Sequence, residues 1–157
     1  MEKKKEVTRG RICRRTRTIM IIVHCTATPE GRDIGMKEIR QWHVCGQGWA
    51  DVGYHYLVRL DGTIESGREE HLAGAHCKGK NNCSVGVCYV GGCTADGRTA
   101  KDTRTPEQKT ALRTLISQLL QRYPHATVHG HHEFARKACP CFDARSEYSE
   151  LERHDNT

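Results

Sequence analysis

The chain has 157 residues, 36% of them hydrophobic, with 25 Lys and Arg against 19 Asp and Glu. That length suits one domain, large enough to bury roughly two-thirds of its unfolded surface without disulfide or metal staples. No apolar stretch approaches the ~20 residues of a membrane span, and the run TIMIIV behind the basic start is shorter than the ~7–15 apolar residues of a signal-peptide core.

Charge divides the chain. Residues 1–17 carry eight Lys or Arg against two Glu, which accounts for the whole net charge of +6, and the remainder is balanced. A basic tail over 1–17 and a folded domain over 18–153 are therefore expected. Such a tail suits an anionic partner, a wall polymer or a membrane surface. It has no aromatic residue to stack on bases, so specific nucleic-acid binding is not expected. The nine cysteines are an odd number, which excludes complete intramolecular pairing. No C-x-x-C pair occurs, so a structural zinc site is poorly supported, and most of the thiols are expected as small buried hydrophobes.

In chain order, the β-branched run Thr18–His24 predicts a first buried strand. Pro29 and Gly31 mark a loop, and Ile39 and Trp42 recur at helical spacing in a helix over Met36–His43. GYHYLVRL predicts a strand, and Asp61-Gly62 a hairpin turn before TIESG. The polar stretch HLAGAHCKGKNN is expected on the surface, followed by a core strand in SVGVCYVGG. The clearest helix spans Pro106 to Arg122. Thr105 is placed to cap it, Pro106 takes its first position and Gln108 completes a capping box. Its apolar stripe runs through Ala111, Leu112, Leu115, Ile116, Leu119 and Leu120. A strand through Val128 leads to His131, and a short last helix starts at Asp143. Strands alternating with helices predict an α/β fold, a mixed central β-sheet flanked by helices.

Three separated residues carry the chemistry. His24 ends the first strand, His131 follows ATVHG, and Cys139 lies in KACPCFD. Two imidazoles and a thiol without a fourth ligand suit a catalytic zinc, which keeps one position open for water or substrate. His129 and Cys141 are alternative ligands by type. In an extended chain His129 would share the face of His131, and Cys141 that of Cys139. Lys137 offers an ammonium beside the thiol, able to stabilise an oxyanion. Tyr54, next to Gly53, stands where a strand begins.

With these residues in place, the chain resembles the zinc-dependent N-acetylmuramoyl-L-alanine amidases of the phage lysozyme-amidase type, relatives of the peptidoglycan recognition proteins. The matching segments are IIVHCTAT, IGMKEIRQWH, GQGWADVGYHYLV, RLDGTIESGR, SVGVCYVGG, HHEF and KACPCFD. They run in family order from about Thr18 to about Asp143. The resemblance implies Zn2+ held by His24, His131 and Cys139, with Tyr54 and Lys137 catalytic and His76 bordering the substrate. It implies hydrolysis of the amide between N-acetylmuramic acid and L-alanine in peptidoglycan by a zinc-bound water. A monomer is expected, made without a visible export signal and acting on the cell wall after release. A binding module that had lost the reaction would lack the cysteine ligand, and Cys139 is present.

Overall fold

The computed structural model describes residues 12–152. At its centre lies β1 (Met20–Cys25), whose Ile21, Ile22 and Val23 are wholly buried. It pairs in parallel on one side with β5 (Ser84–Tyr89) and on the other with β7 (Thr127–Gly130). β3 (Tyr56–Val58) adds in parallel to β5, and β4 (Ile64–Ser66) closes that edge antiparallel to β3. The resulting order is β4-β3-β5-β1-β7, a mixed sheet. A second, two-stranded parallel sheet joins β2 (Thr28–Pro29) to β6 (Gly92–Cys93).

Side-chain alternation gives this sheet two distinct faces. Ile21, Val23, Val85, Val87 and Tyr89 turn to one side. There they meet Leu112, Leu115, Ile116, Leu119 and Leu120 of α2 (Pro106–Arg122) and Tyr148 of α3 (Ala144–Tyr148). On the other side Leu57 and Cys88 pack against Ile39 of α1 (Met36–Gln41) together with Ile34 and Val52. His24 alternates onto this second face.

The start of α2 matches the capping pattern. Thr105 Oγ1 accepts from the Gln108 N–H at 3.0 Å, and Gln108 Oε1 accepts from the Thr105 N–H at 2.9 Å. Gln108 is fully buried, and its Nε2 donates to the carbonyls of Val90 (2.9 Å) and Val58 (3.3 Å). One side chain therefore caps the helix and ties it to the ends of two strands.

Three expectations need correction. The helix predicted over Met36–His43 gives way after Gln41 to a π-helical turn, Trp42–Gly46, closed by the Gln47 N–H donating to the Trp42 carbonyl at 3.1 Å. The wider turn breaks the 3.6-residue stripe, so Trp42 is 39% exposed, with the Arg32 guanidinium over its ring, while Ile39 is buried. The polar stretch after His71 does not stay on the surface: Ala73, His76 and Cys77 are buried. Residues 13–17, assigned to the tail, are attached to the body. The Ala73 N–H donates to the Cys13 carbonyl. The Arg15 guanidinium donates to the carbonyls of Glu70 and Leu72 and to the Tyr123 hydroxyl. Residues 1–11 of the basic tail lie outside the described residues.

Gln108→Ala should lower stability by about 1–3 kcal/mol, the cost of leaving buried polar groups without partners. Denaturant unfolding of the metal-free protein measures this. An unchanged midpoint would remove Gln108 from its bridging role.

Candidate metal centre

His24 occupies the last turn-facing position of β1 on the face away from α2. The register sets Val23 beside Gly130, so the next residue of the neighbouring chain, His131, arrives next to His24. Their ring centroids are 4.5 Å apart. β7 ends at Gly130, and His131–Glu133 form a 3-10 turn. That turn swings His131 towards His24 and separates it from His129.

The thiol comes from the loop before α3. Its Cys139 Sγ lies 3.9 Å from His24 Nδ1 and accepts a hydrogen bond from the Cys25 N–H at 3.1 Å. Several contacts hold the loop. The Tyr89 hydroxyl donates to the Pro140 carbonyl at 2.6 Å, and the His132 N–H donates to the Cys139 carbonyl at 2.8 Å. Immediately after Cys141, the Arg104 guanidinium stacks over Phe142 at 3.3 Å while pairing with Asp102 and Glu147. Ligand atoms of His24, His131 and Cys139 all lie within 4.8 Å of one another. Two neutral nitrogens and a sulfur at that spacing fit a tetrahedral zinc with one position left open.

The other expected residues surround this cluster. The Tyr54 ring lies 5.2 Å from that of His24. Gly53 beside it is obligatory, because a Cβ there would sit 2.2 Å from the Ala75 carbonyl oxygen. That close approach, sealed by the Ala75 N–H to Gly53 carbonyl bond at 3.0 Å, locks the Tyr54 segment against the loop carrying His76. Lys137 is exposed at the rim of a cleft also lined by Trp49, His76, Lys78, His131 and Phe134. His76 lines that cleft with little surface: it is 8% exposed, and its Nδ1 is 2.8 Å from His24 Nε2.

The N-acetylmuramoyl-L-alanine amidase family matches residues 14–142. The endolysin of Enterobacteria phage K11 is 48% identical over 130 residues, which cover 83% of this chain and 85% of that protein. The chain belongs to this amidase family. Among solved structures, the endolysin amidase LysCS from Clostridium intestinale URNW superposes with a TM-score of 0.73 at 27% identity, covering 89% of this chain and 84% of that one. The fold is shared with Drosophila PGRP-LB, a peptidoglycan recognition protein, at a TM-score of 0.71 and 23% identity, covering 92% and 91% of the two chains.

Within this amidase site the alternative ligands are engaged elsewhere. His129 is bonded through Nε2 to Thr127 Oγ1 (2.7 Å) and through Nδ1 to Glu133 Oε1 (2.9 Å). The other oxygen of Glu133 accepts from the Gly130 N–H, which starts the 3-10 turn and defeats the extended geometry that would have aligned His129 with His131. Cys141 adopts a left-handed backbone, φ 71°. Its thiol donates to the Gly92 carbonyl at 3.3 Å and meets Cys25 Sγ at 3.9 Å. No disulfide joins the described residues. Sequence reasoning missed the loop anchors Tyr89 and Arg104 and the partners of His76. Only Gly86, inside the branched strand SVGVCY, signalled that something approaches β5 closely.

The amidase imidazoles are held neutral. Burial pushes His24 well below its ordinary range, helped by His76, His131 and Lys137. Burial, then Lys137, lowers His131. Burial also raises the Tyr54 phenol, helped by the Cys88, Cys139 and Cys25 thiols, so it keeps its proton as a donor. His55, behind His76, is depressed from 6.5 to about 4 by burial. It accepts from the Gly86 N–H at Nδ1 (2.9 Å) and pairs with the Leu72 carbonyl at Nε2 (2.7 Å).

An unfolded imidazole takes up its proton near 6.5, before the buried His55 does at about 4. Acidification through that window therefore favours the unfolded chain. Stability of the metal-free protein should be fully present above 6.5 and fall as pH drops from there towards about 4, beginning above the carboxylate range. Thermal unfolding with chelator at a series of pH values measures it, and a Tm that is flat or rises on acidification overturns it.

Proposed function

We infer that this chain hydrolyses the amide bond joining N-acetylmuramic acid to L-alanine in peptidoglycan, with zinc held by His24, His131 and Cys139. The observation that carries the reading is the convergence of those three ligand atoms within 4.8 Å, at a cleft whose rim carries Lys137. Zinc bound there supplies Lewis acidity, which polarises a carbonyl and lowers the pKa of a bound water to about 7.

The chain's own groups do the rest. Attack on the amide carbon builds negative charge on the carbonyl oxygen, and the Lys137 ammonium and the Tyr54 hydroxyl donate hydrogen bonds to it. Tyr54, kept protonated by its surroundings, passes a proton to the leaving amine of L-alanine, directly or through a water that it holds. Glu133 is not the base, because both its oxygens are committed to His129 and Gly130. His76 contributes its ring edge to the cleft wall, which supports a place beside the substrate. The chain resembles a phage endolysin, and on this reading its substrate is reached after release from the cell. The tail adds attraction to the anionic wall or membrane.

Digestion of purified peptidoglycan should release stem peptides with a free L-alanine amine and leave the glycan strands intact, and chelator should abolish it. Mass analysis of the fragments decides, and new reducing sugar ends would refute the amidase reading. In a separate co-sedimentation assay with whole peptidoglycan, wall binding that does not weaken with added salt removes the tail from the reading.

Cys139→Ala should lose both metal and activity. Tyr54→Phe and Lys137→Ala should keep about one zinc per chain while turnover falls about 10²–10³-fold. Metal analysis beside single-turnover rates separates the two classes. Near-normal turnover in both variants would take these residues out of the mechanism.

A further inference from the structure

Behind the metal ligands a line of hydrogen bonds runs from the site into the protein, and the catalytic scheme does not use it. His24 Nε2 lies 2.8 Å from His76 Nδ1, with the two rings edge to face at 90°. His76 Nε2 lies 3.2 Å from Ser84 Oγ, and Ser84 Oγ lies 2.7 Å from the Lys80 carbonyl oxygen. The His76 ring has little freedom. A Cβ on Gly86 or Gly74 would come within 2.6 Å of it, and the N–H groups of His76 and Cys77 both donate to Asn81 Oδ1, at 2.9 and 3.0 Å.

Each proton on this line has one possible place. A carbonyl can only accept, so at 2.7 Å the Ser84 hydroxyl must point its single hydrogen at Lys80. Towards His76 the Ser84 oxygen is then an acceptor, and His76 Nε2 carries the N–H. A neutral imidazole has one N–H, which leaves His76 Nδ1 as a lone pair. That lone pair accepts from His24 Nε2–H. His24 Nδ1 is therefore the bare nitrogen, and it is the one facing Cys139 Sγ at 3.9 Å. The opposite polarity would put an N–H where the metal needs a lone pair.

We propose that His76, set by Ser84 and the Lys80 carbonyl, is a positioning residue that fixes the His24 tautomer and presents Nδ1 to the metal. This rests on the reading that His24 is a metal ligand, and it deepens that reading. A ligating imidazole usually donates its other N–H to a carboxylate, carbonyl or water, and that partner orients the ring and raises its basicity. Here the partner is a second neutral histidine, whose own orientation is delegated to a backbone carbonyl two hydrogen bonds away. It also accounts for the burial of His76 in a segment polar enough to be expected on the surface.

The experiment has two arms. Nitrogen NMR of the imidazoles in the unsubstituted, metal-free protein should show His24 protonated at Nε2 and bare at Nδ1. An Nδ1–H His24 overturns the proposal, whatever the variants do. Zinc affinity by chelator competition should then fall about 10–100-fold in His76→Leu, the usual loss when such a partner is removed. It should fall less in Ser84→Ala, and His76→Asn, whose amide oxygen replaces the Nδ1 acceptor, should recover most of the loss. A folded His76→Leu protein that binds zinc like the unsubstituted chain also overturns the proposal. If His76→Leu does not fold, the tautomer measurement decides alone. Failure of the metal reading looks different: the unsubstituted protein would bind no zinc, or would bind it undiminished after His24→Ala.

Discussion

The parallel pairing of β1 with β5 on one side and β7 on the other is the constraint on which the rest of the molecule depends. It buries Ile21, Ile22 and Val23 completely and fixes the register on both flanks. Because side chains alternate with period two, a slip of one residue would move His24 to the α2 face and bring Val23 or Cys25 to the site. The β7 register, with Val23 beside Gly130, decides where the neighbouring chain leaves the sheet. Two of the three proposed ligands thus reach one point through backbone pairing and the 3-10 turn that directly follows β7. Only the thiol must be delivered by a loop, and that loop is held by buried hydrogen bonds and by the Arg104–Phe142 stack.

Much of this was legible in the sequence because it is local. The branched run before His24, the Thr105–Pro106–Gln108 cap and the stripe of α2 each state their structure within a few residues. The converging trio was legible because His24, His131 and Cys139 lie in ordered family segments, not because any spacing reveals their convergence. Most of what escaped depends on partners that the local pattern does not show. Trp42 obeys the helical period, yet the π-helical turn throws it outward. His76 sits in a segment as polar as any loop, yet its ring is drawn into the protein by groups on β1 and β5. Arg15 reads as one charge of a basic tail, although its guanidinium finds the carbonyls of Glu70 and Leu72 and the hydroxyl of Tyr123. Trp42 is turned outward by a local hydrogen bond from Gln47, whereas partners of His76 and Arg15, His24 and Glu70, lie 52 and 55 residues away.

Gly53 and Gly86 show the same asymmetry from the other direction. Each is a gap in a patterned segment, and each is filled by something from the loop that carries His76: the Ala75 carbonyl against Gly53 and the imidazole against Gly86. A missing side chain is visible in sequence, but its occupant is not. Together the two glycines let one loop settle onto both the Tyr54 segment and β5. The supposed surface stretch thereby becomes the back wall of the site.

Electrostatics joins these pieces. The site gathers His24, His76 and His131 with no carboxylate of the described residues hydrogen-bonded to them, since Glu133 is turned to His129. Protonating any one of the three would place an unpaired cation in a buried or half-buried setting, and burial and mutual repulsion lower His24 for that reason. Lys137 adds to this. Its ammonium disfavours protonation of both His24 and His131, so the cation proposed for the oxyanion also keeps the imidazoles in the form a metal requires. The roles are separable in principle, because the ammonium acts on the ligands through space but must touch the substrate oxygen to act on the reaction. An exposed position at the cleft rim, beside the ligands and not between them, lets one side chain do both.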